Sequence, residues 1–219
     1  MESQVRGGTR WKRFAVVMVP SVAATAAIGV ALAQGALAAS FSVSGQEFKV
    51  SAGQLVGTGF TQYGAVDSGK SLDGSTDQAH PVAVSAFDHA SITNMCQSVV
   101  TPIPFLGKSV TLKLTAGDKG TDVQADQLFI DVSNLDSDQA VFKGIDIGVA
   151  AGSVTKGPKP KADEIQQKKA NPFGFAQQAD SATLTGVKQT AWATTAGTFK
   201  LANLHMGLQW GSGQGVECY

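Results

Sequence analysis

Apolar residues in this chain recur at every second position, and that period constrains the fold more than any motif does. From Phe41 onward the alternation runs Phe41, Val43, then Phe48, Val50, Ala52, then Val110, Leu112, Leu114, then Leu128, Ile130, Val132. It returns at Ile145, Ile147, Val149, Ala151 and at Leu204, Met206, Leu208, Trp210. Side chains of a strand point alternately to its two faces, so each run predicts a strand with one buried face. Turn clusters such as "SLDGSTD", "TAGDKG" and "NLDSDQ" stand between the runs. Charged residues make up only 16% of the chain and there are 25 glycines, which favours strands with Gly-rich turns over a helical bundle. The expected fold is all-β, a single β-sheet domain that is either sandwich-like or an elongated repeat sheet.

Self-similarity points the same way. "DHASITNMCQ" (88–97) and "DSATLTGVKQ" (180–189) share Asp, Ala, Thr and Gln at matching places, with Ile92 matched to Leu184 and Met95 to Val187. Residues 51–60 and 125–135 look like weaker copies. Repeated β units that stack to bury a common apolar face leave this trace.

Ahead of the β-domain lies a segment of different chemistry. Arg6, Arg10, Lys12 and Arg13 precede a run from Phe14 to Ala39 that carries no charge. About 20 apolar residues cross a bilayer as a helix, and flanking positive charge stays cytoplasmic. The expected organisation is a cytoplasmic tail (1–13), one amino-terminal membrane helix (14–39) and an exported β-domain (40–219) on the outer face of the cytoplasmic membrane. Ala31-Leu32-Ala33 and Ala36-Leu37-Ala38 also fit a signal peptidase site, so secretion after cleavage is the alternative. Cys96 and Cys218 both fall on the exported side. An even count in an oxidising compartment reads as a disulfide, and two separate buried thiols are the alternative.

Residues 155–172, "TKGPKPKADEIQQKKANP", interrupt the alternation with prolines and lysines. The expectation is an exposed loop with one helical turn near Asp163–Lys168. Its Lys156, Lys159, Lys161, Lys168 and Lys169 are the candidate contacts to an anionic surface such as lipid headgroups.

The chemical motifs are thin. "GAVDSGKS" (64–71) satisfies G-x-x-x-x-G-K-[ST], but a phosphate cradle needs a helix to follow, and "LDGSTDQAHPVAV" supplies none. The eight residues read as an exposed turn, with no nucleotide bound. No G-x-S-x-G elbow is present, His80 precedes Pro81 in an expected turn, and His89 and His205 take the polar phase of strands. Asn134, Asp136 and Asp138 open like a calcium loop, without its sixth-place Gly or twelfth-place Glu. Acidic and basic residues balance at 17 each, and no basic-aromatic surface suggests nucleic acid. No catalytic residue, metal ligand or cofactor site is assigned.

"GALAASFSVSGQEFKVSAGQLVGTGFTQYG", "CQSVVTPIPFLGKSVTL" and "QTAWATTAGTFKLANL" together resemble an actinobacterial family of envelope proteins of unknown function, some of them labelled "cholesterol esterase". The resemblance implies residence at the membrane or cell surface, with a small multi-span membrane protein as a neighbour. Nothing in these residues matches an esterase motif. The resulting expectation is a non-catalytic, membrane-anchored β-domain that binds lipid or a partner envelope protein, with a lipid-ester hydrolase as the alternative.

Overall fold

The structure is a computed structural model and describes residues 43–104 and 106–219. The basic tail and the charge-free run Phe14–Ala39, with its expected helix and cleavage sites, lie outside the described residues. Within them the chain is all-β, a single ten-stranded sheet with one short helix, α1 (Ala162–Gln166). The strands in chain order are β1 (Phe48–Lys70), β2 (Asp77–Thr93), β3 (Met95–Ile103), β4 (Lys108–Ala116) and β5 (Val123–Asp136). After them come β6 (Gln139–Lys143), β7 (Asp146–Ala150), β8 (Phe175–Thr195), β9 (Thr198–Lys200) and β10 (His205–Trp210).

The sheet is neither a sandwich nor an open row. β1 pairs with β2 and β8, β2 pairs also with β5, and β5 pairs also with β8, so these four strands close a ring. All of these pairings are antiparallel, and closure removes the free edges that an open sheet would expose. The ring explains the internal repeat. The four similar segments lie on its four strands, 88–97 running on from β2 into β3, and Ile92 and Leu184 both face Leu55, one from each side of β1.

Two apolar clusters fill the domain. The first gathers Leu55, Phe60, Phe87, Ile92, Leu128 and Val187, with Phe60 ring-to-ring with Phe87 at 5.3 Å. The second gathers Tyr63, Val84, Phe129 and Val154, with Trp192 packed against it. Burying an aliphatic or aromatic side chain of this size stabilises by about 1.5–3 kcal/mol. Small residues let the long strands approach. A Cβ on Gly57 would run into the Phe87 ring, and Gly59 adopts a positive φ of 63° between Asp88 on β2 and the Asp180 end of β8. Ala176, Ala179, Ala182 and Ala191 of β8 are fully buried.

Three local expectations change. Gly64–Lys70 is the last stretch of β1, paired from Gly64↔Ala83 to Lys70↔Asp77, and the turn begins only at Ser71. Cross-strand pairing overrides the turn-like composition. His80 lies on β2, opposite Asp67, not in a turn. Residues 155–172 do hold the expected helical turn, but they are a packed strap, not a solvated loop. Pro158, Pro160 and Ala170 are buried, and Ala65 bridges to Ala170.

Beyond the ring, β3, β4 and β10 extend the sheet as a wing. β2 passes into β3 at Asn94, whose positive φ of 49° marks the bend. β10 pairs only with β4 and forms the outer edge.

Candidate functional site

The two faces of the wing differ. Residues opposite one another in an antiparallel ladder share a face. Thr111, Lys113, Ser98, Cys96, Lys49, Lys188 and Thr190 therefore share one face. The carboxyl-terminal segment after β10 crosses it. Thr111 Oγ1 donates to Gly211 O at 2.7 Å, Lys113 Nζ to Glu217 O at 3.1 Å, and Cys218 N to Ser98 Oγ at 3.1 Å. Lys49 pairs with the Glu217 carboxylate at 2.8 Å and, like Lys188, sits over the Tyr219 ring. Lys49 is the main reason the Glu217 carboxyl stays below its ordinary range. Cys96 and Cys218 are joined in a disulfide that fixes this tail, in agreement with the sequence expectation.

The opposite face is apolar and open. Three rungs cross it: Gln97–Leu114–Met206, Val99–Leu112–Leu208 and Thr101–Val110–Trp210. Leu208 and Trp210 are 72% and 71% exposed, Met206 57% and Leu112 37%. The period-two pattern is thus that of a strand, as expected, yet the apolar phase of β10 is not buried. The face runs inward through Val50 and Leu114 onto the first core cluster. At that junction Val50, Met95, Leu128, Val187 and Phe199 line a cavity of about 30 Å³. That volume suits a water or two, not an acyl chain.

A second grouping lies where the strap crosses the ring. Tyr63 OH donates to Glu164 Oε2 at 3.0 Å, and Lys161 N donates to the same oxygen at 3.2 Å. Val66 N donates to Lys169 O at 2.9 Å. The Asp67 and Asp131 carboxyls interact across the ring. Burial, reinforced by the Asp67 and Glu164 charges, pushes the Asp131 carboxyl up to about 7. Burial also raises Asp67 and Glu164, with the Lys169 charge drawing Asp67 back and the Tyr63 hydrogen bond drawing Glu164 back. Tyr63 is pushed far upward, first by burial and then by the Glu164 charge. His80 stacks on Trp192 with centroids 3.5 Å apart. These side chains come from β1, β2, β5, β8 and α1, and no local spacing announces them. They lock the strap to the ring.

The five strap lysines have different surroundings. Lys156 pairs with Asp146 at 3.0 Å and lies 3.8 Å from Asp180. Lys161 lies over the Phe129 ring at 4.5 Å, and Lys169 faces Asp67. Lys159 and Lys168 are exposed. Lys70 of the Walker-like stretch pairs with Asp77 across the hairpin at 2.9 Å, and β2 follows the turn where a phosphate-binding helix would start. His89 Nδ1 lies 2.8 Å from Asp126 Oδ1, and among the described residues no serine hydroxyl is bonded to this imidazole. Asn134 Nδ2 donates to Asp136, and among the described residues no three His, Cys, Asp or Glu side chains form a metal-ligand group.

Comparison with known families gives one assignment. The sequence profile of DUF6230, described as a family of unknown function, matches residues 44–219. The chain belongs to the DUF6230 family. The match spans the ring, the strap, the wing and both cysteines, so the DUF6230 unit coincides with the closed β-domain. No curated protein and no solved structure matches the chain.

Proposed function

We propose that this DUF6230 chain is a non-catalytic cell-envelope protein whose β-domain works at the outer face of the cytoplasmic membrane and binds lipid. The observation that carries the reading is the open apolar face of the wing. Its reverse face is covered by the chain's own disulfide-bonded tail, whereas no described residue covers Met206, Leu208 and Trp210, which stay exposed. A contiguous exposed apolar surface marks a membrane or protein contact. The charge-free run Phe14–Ala39, close to the start of the β-domain, favours lipid over a soluble partner. A small multi-span membrane protein is the alternative occupant. Flotation of the full chain with vesicles, joined to a mass-spectrometric inventory of what co-purifies from native membranes, tests the reading. Co-floating chain with bound phospholipid is expected. A soluble species beginning at Ala39 or Gln34, free of lipid, overturns it.

The His89–Asp126 pair gives the lipid-ester hydrolase reading its one foothold, because it reproduces the base and orienting acid of a serine triad. Turnover of a short-chain nitrophenyl ester, abolished by a serine-directed inhibitor and by His89→Ala, would establish that reading. Bound lipid without turnover is the outcome expected here.

A further inference from the structure

The wing has a direction relative to the point where the chain enters the domain. Val43 N donates to Ser68 O at 3.1 Å, and Gln46 Nε2 donates to Thr101 Oγ1 at 3.1 Å. Thr101 belongs to the rung that continues through Val110 to Trp210. The entry point and the Trp210 end of the apolar face are therefore neighbours. Ala39, the last residue of the charge-free run, precedes Val43 by four residues and Gln46 by seven. At about 3.3–3.6 Å per extended residue these tethers reach at most about 14 and 25 Å. With Ala39 held at a membrane, covalent reach keeps the entry residues Val43 and Gln46 within these distances of it.

The side chains at that end suit such a place. Exposure along the face rises toward it, from 57% at Met206 to 72% at Leu208 and 71% at Trp210. Beside Trp210 an open notch is lined by Pro102, Ile103 and Lys108. Tryptophan places an apolar ring and a polar N–H at headgroup level, and a neighbouring lysine can bury its stem while its ammonium stays among the headgroups. The edge of β10 carries no proline, lysine or glutamate that would keep it from sticking to other surfaces.

We propose that the Trp210 end of β10, with Leu208 beside it, is seated in the outer leaflet of the bilayer, so that the domain is docked on the membrane and not merely tethered to it. This rests on the anchored, lipid-binding reading above. The test uses the full chain in nanodiscs of phosphatidylcholine brominated either near the headgroup end or near the methyl end of its acyl chains. Tryptophan quenching is compared between Trp11→Phe and Trp11→Phe/Trp210→Phe proteins. Quenching lost with Trp210, and stronger for bromines near the headgroup, is the expected result. Leu208→Glu should weaken that quenching while the Cys96–Cys218 disulfide, checked by peptide mapping, stays formed. A chain that inserts into the discs while Trp210 escapes bromine overturns the docking and leaves the anchored reading standing. The same holds if Trp210 is shielded by a second copy cross-linked through β10. A chain that never enters the discs overturns both.

Discussion

Asp131→Asn should stabilise the protein, and the gain should depend on pH. In the folded chain burial and the Asp67 and Glu164 charges raise the Asp131 carboxyl from 3.8 to about 7. Between those values the unfolded chain has released the proton and the folded chain has kept it. Stability therefore falls as pH rises through this window, and the loss is complete once pH exceeds the folded value. The window covers about three pH units at about 1.4 kcal/mol each, an upper bound of about 4 kcal/mol. Water reaching the strap reduces it, so about 2–4 kcal/mol is expected at pH 8. Asparagine keeps the shape and a donor toward Asp67 without the ionisation. Guanidinium unfolding of wild type and variant, disulfide intact, at pH 4, 6 and 8 measures the difference. The two proteins should be close at pH 4, and the variant should pull ahead by pH 8. A variant less stable than wild type at pH 8 would refute the reasoning, because it would mean that attraction to the Lys161 charge outweighs burial.

Cys218→Ser releases a tie between positions 122 residues apart and should cost about 2–5 kcal/mol in thermal or denaturant unfolding, with non-reducing peptide mapping of wild type showing the bridge. Gly57→Val drives a side chain into the Phe87 ring and should cost about 1–3 kcal/mol, partly recovered in Gly57→Val/Phe87→Leu. Lys70→Ala should leave folding unchanged, since the pair with Asp77 is exposed, and wild type should show no ATP binding by calorimetry for the variant to lose.

Periodicity was sufficient where both period and cover are local properties. Leu128, Ile130 and Val132 alternate and are buried, and the copies at 88–97 and 180–189 both lie against β1. Ring closure was out of reach, because it depends on β8 pairing with both β1 and the distant β5, the latter through register shifts around Val132. Alternation at Met206, Leu208 and Trp210 indicates a strand with an apolar face, but whether anything covers that face is a tertiary fact. The end of β1 was hidden for the opposite reason. Gly64, Asp67, Ser68 and Gly69 have the composition of a turn, yet each is held by a partner on β2. The Asp67–Asp131 pair joins positions far apart in sequence, and Tyr63 meets Glu164 across 101 residues, so no motif spacing could list them. The strap lysines carried a solvated-loop signal, while Val154, Pro158 and Ala170 beneath them supplied too few apolar residues to contradict it.

The central claim, that the open face of the wing meets lipid, is tested most directly by photolabelling. The full chain is reconstituted with a phospholipid carrying a diazirine on its acyl chain, irradiated and mapped by peptide mass spectrometry. Adducts on the peptide containing Met206, Leu208 and Trp210, diminished in Leu208→Glu, are the predicted result. Adducts confined to the Phe14–Ala39 segment, with none between residues 44 and 219, would contradict it.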